Sequence, residues 1–262
     1  MAESSKISTE QGKRLYLALT ASSDELFQVL LDPEIQVLRA TLKNQNLNED
    51  HLRALLKRRD LTEDLLKAIY QLDITKASHR LQVALVKNPG TPAPVALALL
   101  PHLHLFELVD LCLIPGVTPD QKFGAERAIL QRLPTTELGN KMTLARRATA
   151  TVVGAILKEG QPRLVEICLS SPRLREVAIL QFINGATSSA ETISIIARHE
   201  KWKLRPNLRL AILKNRRTPA IWFTLFLPQL RTAEVRNLLV SRNLNQAQKK
   251  LVQDELRKRG TG

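Results

Sequence analysis

The sequence predicts an all-α protein: an α-α superhelix of short stacked helices, built as two tandemly duplicated halves. Three observations lead there. The composition is 44% hydrophobic but only 4% aromatic, with 10 glycines in 262 residues, which suits helices packed through Leu, Ile, Val and Ala better than a sandwich or barrel rich in tight turns. Apolar residues recur three or four positions apart, as at Ile35, Leu38 and Leu42 or Leu52, Leu55 and Leu56, the spacing that lines one face of a helix. The stretch Leu81 to Leu103, LQVALVKNPGTPAPVALALLPHL, returns 127 residues later as LRLAILKNRRTPAIWFTLFLPQL, with ten of 23 positions identical.

The same offset carries Val29 and Leu30 onto Ile156 and Leu157, Leu56–Thr62 onto Ile183–Ser189, and Ile114–Thr118 onto Ser241–Asn245. This divides the chain into a half of residues 1–133 and a half of residues 134–262, joined near PTTELGNK and expected to form one continuous solenoid. Inside each half a smaller unit recurs: LRATLKNQNLNEDHL from Leu38 is echoed fourteen residues on by LRALLKRRDLTEDLL. Each such unit reads as one short helix and its turn. Asn48, Thr62, Thr91 and Thr118 are placed to cap helix N-termini, and Ser189, Thr218 and Asn245 repeat them in the second half. A capping oxygen accepts from an otherwise unpaired backbone N–H. Pro92, Pro119 and Pro219 follow where a first helical residue needs no N–H. Acids open several helices, as at Glu49 and Asp50, complementing the positive end of the dipole. Helices this short cannot bury an apolar face alone, so a right-handed, curved stack of about fourteen to sixteen of them is expected. The ends, MAESSKIST and RKRGTG, lie outside the pattern.

The net charge of +14 is unevenly placed. Residues 1–133 carry 16 Lys plus Arg against 16 Asp plus Glu, whereas residues 134–262 carry 23 against 9. A fold needs no such excess, and self-repulsion opposes it, so the asymmetry points to recognition of something acidic. The densest stretch, RHEKWKLRPNLRLAILKNRR, holds Arg198, Lys201, Lys203, Arg205, Lys214, Arg216 and Arg217, with Trp202 between two lysines. Lys43, Lys57, Arg58, Arg59, Lys87 and Arg242 occupy turns of the same phase as Lys214, Arg216 and Arg217. These fourteen residues form the expected partner-binding rim. Its partner is expected to be an acidic protein surface; nucleic acid is the alternative, with Trp202 stacking on a base.

Chemistry-bearing motifs are missing from the chain. It has no GxxxxGK[ST] loop, GxGxxG or HExxH, and LGNKMT from Leu138 is only a fragment of the first. His102 and His104 point different ways on a helix, while His51, His79 and His199 have no partner at metal-ligand spacing. No catalysis, cofactor, metal or small-molecule substrate is therefore expected. Cys112 and Cys168 sit in apolar runs without CxxC spacing and read as buried hydrophobes of a reducing compartment. LYLALTASS after Lys13 and Arg14 is a short apolar run followed at once by acids, and no stretch approaches a membrane span. A cytoplasmic protein that does not engage membranes is expected.

The element Arg-x-Ala-x-Leu-Lys-Asn-x-x-Thr-Pro at Arg209–Pro219, with weaker copies from Arg39 and Gln82, resembles the bacterial leucine-rich-repeat-variant and HEAT-like group of helical repeats. The resemblance covers about half of the chain. It implies the solenoid architecture and a scaffold or nucleic-acid-binding role. The iron–sulfur cluster of one variant-repeat archetype is not implied, because its cysteine cluster is absent here. HEAT-like DNA glycosylases pair a carboxylate with tryptophans on a basic surface. That reading would need Glu191, Glu200 or Glu234 beside Trp202 and Trp222, and it ranks last.

Overall fold

A computed structural model describes residues 9–260. The fold is all-α, with nineteen α-helices, three single-turn 3₁₀ segments and no strand among the described residues. The chain divides into two compact units after Ile129. Unit 1 contains α1 (Thr9–Thr20), α2 (Ser23–Val29), α3 (Ile35–Thr41), α4 (Glu49–Leu55), α5 (Glu63–Gln71), α6 (Asp73–Ala77), α7 (His79–Lys87), α8 (Ala93–Leu99) and α9 (Leu105–Leu113). Helix α10 (Pro119–Arg132) begins in unit 1 and spans the boundary. Unit 2 contains α11 (Leu138–Arg147), α12 (Ala150–Leu157), α13 (Pro162–Ser170), α14 (Glu176–Ile183), α15 (Ala190–Arg198), α16 (Pro206–Lys214), α17 (Ala220–Phe226), α18 (Thr232–Leu239) and α19 (Gln246–Lys258).

From α12 to α19, every helix begins 127 residues after a helix of unit 1. Helix α6 alone lacks a counterpart: residues 200–204 are turn, and Trp202 stands where unit 1 has Thr75.

Within each unit the helices pack in two facing rows. In unit 2, α11, α13 and α15 are successive neighbours in one row, and α12, α14, α16 and α18 in the other. In unit 1, α1, α3 and α5 face α2, α4, α7 and α9. Each helix supplies one to five buried residues, such as Leu52 and Leu55 of α4 or Ile193 and Ile196 of α15. Burying a Leu or Ile side chain is worth about 1.5–3 kcal/mol, so a helix of seven residues holds its place only because both rows cover it.

The turns explain the recurring Lys-Asn pair. The Oδ1 atoms of Asn44, Asn88 and Asn215 accept the amides of Asn46, Gly90 and Arg217 at 2.8, 2.9 and 2.8 Å, which closes an Asx turn. Their Nδ2 groups reach back one layer: Asn44 to the carbonyls of Ala18 and Ala21, Asn88 to Leu56 and Arg58, and Asn215 to Ile183. Each therefore satisfies C-terminal carbonyls that a helix leaves open.

The capping residues divide into two kinds. Asn48, Thr118, Ser189 and Asn245 accept amides of the helix that follows. Thr62 occupies the cap position without a side-chain bond. Thr91 and Thr218 do not cap. They are buried, and their hydroxyls donate to Leu85 and Ile212 of the preceding helix at 2.6 and 2.5 Å. Pro92 and Pro219 consequently sit one residue before the helix, whereas Pro119 is the first residue of α10.

Candidate functional site

Because α14, α16 and α18 pack in one row, the turns that follow them lie side by side. They enclose a cleft of about 420 Å³ lined by Asn184, Gly185, Ala186, Lys214, Asn215, Arg216, Arg217 and Asn243. No carboxylate is among these lining residues. Lys214 and Arg216 are exposed, and neither has an ion pair among the described residues. Arg242, also exposed, neighbours the lining residue Asn243. Positive charge at a helix C-terminus is itself mildly favourable, which accounts for Lys214 at the last turn of α16. It does not account for Arg216: the unit 1 residue 127 positions earlier is Pro89, in a turn closed by the same asparagine bonds.

Two members of the expected rim are instead turn-fixing residues. Arg217 directs its guanidinium inward, and Nη1 donates to the carbonyls of Ala186 and Ser188 at 2.9 and 2.7 Å. Arg58 takes the place that Asn44, Asn88 and Asn215 hold in their turns. Its Nη1 donates to Leu30 and Asp32 carbonyls at 2.7 and 2.8 Å, while Nε and Nη2 grip Asp60 at 3.0 and 2.6 Å. The Arg58 hydrogen bond holds the Asp60 carboxyl below the ordinary carboxylate value. In unit 1, Lys43, Lys57 and Arg59 are exposed and Lys87 is half-buried.

Trp202 is not available for stacking. It is 3% exposed, and its indole Nε1 donates to the Leu169 carbonyl at 2.9 Å. The residue at the equivalent position of unit 1, Thr75, is buried as well. Lys201 covers the indole, its Nζ 4.4 Å from the ring centroid. Lys203 pairs with Glu200 at 2.7 Å, and Arg205 approaches Glu176 at 4.0 Å. The alternation of cations and tryptophan in the sequence is therefore largely a local arrangement in which the lysines dress a core residue.

The other tryptophan of unit 2 has different surroundings. A second cleft of unit 2, about 520 Å³, is lined by Trp222, Phe226, Leu225 and Leu204 with Arg198, Lys203, Arg209 and Glu200 at its edges. Trp222 is half-buried, 5.5 Å from Phe226, and its Nε1 donates to Ser194. Arg209 donates to the Lys203 carbonyl and lies 5.7 Å from the Phe226 ring. Of the expected residues, Arg198 and Lys203 join this cleft; Trp222 and Arg209 belong to it as well. Periodicity gave no warning, since Val95, the unit 1 residue at that position, is buried.

Of the residues the glycosylase reading names, Glu200 and Trp222 line one cleft, which Glu191, Glu234 and Trp202 do not line. Glu191 is exposed on α15, Glu234 accepts the Arg231 amide at the start of α18, and Glu200 is 86% exposed and held by Lys203. Trp202 and Trp222 occupy separate surroundings, one core and one cleft. Cys112 and Cys168 are both free and buried. Burial, aided by Glu126 and Glu159 respectively, pushes each thiol up to about 12. No helix among the described residues is long and apolar enough to cross a membrane. No family model matches the chain, and no curated protein or solved structure matches it either.

Proposed function

We propose that the protein is a non-enzymatic helical-repeat interaction module or scaffold that binds an acidic surface of another protein through the basic cleft of its second unit. The observation that carries this reading is the pair of unpaired cations, Lys214 and Arg216, at a cleft that contains asparagine amides and no carboxylate. An incoming Asp or Glu side chain would meet the charges of Lys214 and Arg216 without first displacing an ion-pair partner. Each exposed pair contributes only about 0–1 kcal/mol, so useful affinity requires several contacts along the edge, and Arg242 is in the right turn to add one. The register of α12–α19 against unit 1 supports a duplicated, HEAT-like origin, in which the second copy acquired the surface.

A second reading, nucleic-acid binding, draws on the other cleft, where the half-buried Trp222 lies with Arg198 and Lys203. One experiment separates the two. Fluorescein-labelled poly-L-glutamate, single-stranded DNA and duplex DNA are titrated by anisotropy at low and at moderate salt, against the wild type and Lys214→Glu/Arg216→Glu. The proposal expects poly-L-glutamate to bind, and the double variant to lose that binding while keeping its helicity. Equal binding by the variant would remove the cleft from the argument. Tight DNA binding that falls steeply with salt and is insensitive to the two substitutions would place the nucleic-acid reading first.

A further inference from the structure

Three ligand-bearing side chains that are far apart in the sequence meet in unit 1. His79 is the first residue of α7, His104 immediately precedes α9, and Glu107 is the third residue of α9. One ligand atom from each lies within 4.8 Å of the other two. The Nε2 of His79 is 3.0 and 2.9 Å from the two Glu107 oxygens, and the two imidazoles lie 4.4 Å apart by ring centroid. We infer that His79, His104 and Glu107 form a site for a divalent transition-metal ion of the zinc type.

The donor set is two imidazole nitrogens and one carboxylate oxygen, which suits a borderline ion bound at about 2.0–2.2 Å. Ligand atoms on a tetrahedron of that size are about 3.3 Å apart. The His79–Glu107 edge already has nearly that length, and closing the other edges from 4.8 Å asks only for rotation of half-buried and exposed side chains. Three protein ligands leave one position open for water or a donor from another molecule.

The second unit shows that the histidines are not there for the fold. Glu107 accepts the His104 amide at 2.7 Å, and its counterpart Glu234 accepts the Arg231 amide at 2.9 Å. Both carboxylates thus close the start of a helix in the same way. The residues 127 positions after His79 and His104 are Pro206 and Arg231, so a helix start of this kind forms without either imidazole. What the cap requires is the glutamate, and the two histidines add ligand capacity to it.

Partial burial opposes ionisation of Glu107, but the His104 amide and the nearby His79 outweigh it and keep its carboxyl below the ordinary value. The carboxylate is therefore in its ligating form at neutral pH. A metal ion at His79 Nε2 would take the place of the contact this nitrogen makes with the Glu107 carboxylate.

The test is calorimetric titration of the protein with Zn²⁺, together with the visible absorption of added Co²⁺. The substitution His104→Arg, alone and with His79→Pro, installs the residues that unit 2 carries; His102→Ala is the control. One bound equivalent is expected, with the tetrahedral Co²⁺ bands, a loss of more than about 10-fold in affinity for His104→Arg, and no change for His102→Ala. Circular dichroism checks folding of the variants. If His79→Pro disturbs α7, Glu107→Gln replaces it, since it keeps size and hydrogen bonding. Absence of a Co²⁺ spectrum in the wild type, or equal affinity in His104→Arg, overturns the site.

Discussion

Arg216 and Arg217 are adjacent in sequence and identical in charge, yet one side chain is exposed and the other is bonded into the turn. Replacing each alone is therefore a sharp test. The Arg217 guanidinium makes two short bonds to the Ala186 and Ser188 carbonyls; the Arg216 side chain is exposed and makes no such bond among the described residues. A hydrogen bond involving a charged group contributes about 1.5–3 kcal/mol. Arg217 is partly solvent-accessible, which reduces that, so Arg217→Ala is expected to cost about 2 kcal/mol. With a urea m-value near 2 kcal/mol/M, the midpoint falls by about 1 M at unchanged slope. Arg216→Ala should stay within about 0.5 kcal/mol of the wild type while weakening binding of the acidic probe. Urea unfolding followed by circular dichroism reads both. An unchanged midpoint for Arg217→Ala, or an equal drop for Arg216→Ala, would refute the division between a turn-fixing and a partner-facing arginine.

Trp202→Phe removes the indole donor and leaves the buried Leu169 carbonyl unpaired, which should destabilise unit 2 by about 1–3 kcal/mol; the variant's emission should also lose its blue, acrylamide-resistant part, and a Trp202 readily quenched in the wild type would contradict its burial. Cys112 and Cys168, raised by burial to about 12, should resist iodoacetamide at pH 8 in the native protein and react in urea; rapid native labelling counted by mass spectrometry would show that the thiols are accessible. His199 has its pKa lowered from 6.5, first by burial and then by Lys201, against the opposing Glu200. The unfolded chain then binds its proton more readily, so stability is full above pH 6.5, declines as pH falls below it, and stops declining past the lower folded value. The melting temperature of the wild type should drop between pH 7 and 5 more than that of His199→Asn; parallel profiles would remove His199 as the cause.

The helices were legible because their causes are local. Apolar spacing, Asn48 and Asn245 as caps, and Pro119 at a first turn each act within four residues. The number of helices was harder to read: about fourteen to sixteen were expected, and nineteen are present among the described residues. What a side chain does across layers was not legible. Arg58 and Arg217 look like rim cations in sequence, and only the stacking reveals carbonyls about 30 residues away within reach. Trp202 occupies a position that is buried in both units, as Thr75 is in unit 1, and the lysines on either side of it hid that in the sequence. His79 and Glu107 are 28 residues apart, one helix layer, a separation that no ligand-spacing rule searches.

That separation is the general one in this protein. Asn88 reaches Leu56, Asn215 reaches Ile183, Trp202 reaches Leu169 and Gln248 reaches Arg216, all across 32 or 33 residues. These bonds run from a side chain to a backbone carbonyl, and a carbonyl is present whatever residue occupies the lower layer. A substitution in one layer therefore leaves the acceptor offered to the next layer intact. This lets the exposed positions of a turn change without loosening the stack, as Pro89 and Arg216 do at equivalent places, and as His104 and Arg231 do at the starts of α9 and α18. The two units can hold different chemistry on the same frame: a histidine and carboxylate cluster on one, unpaired cations on the other. The frame constrains the Asn, Thr and Gln that reach between layers, and it is at the positions without such a bond that the copies are free to differ.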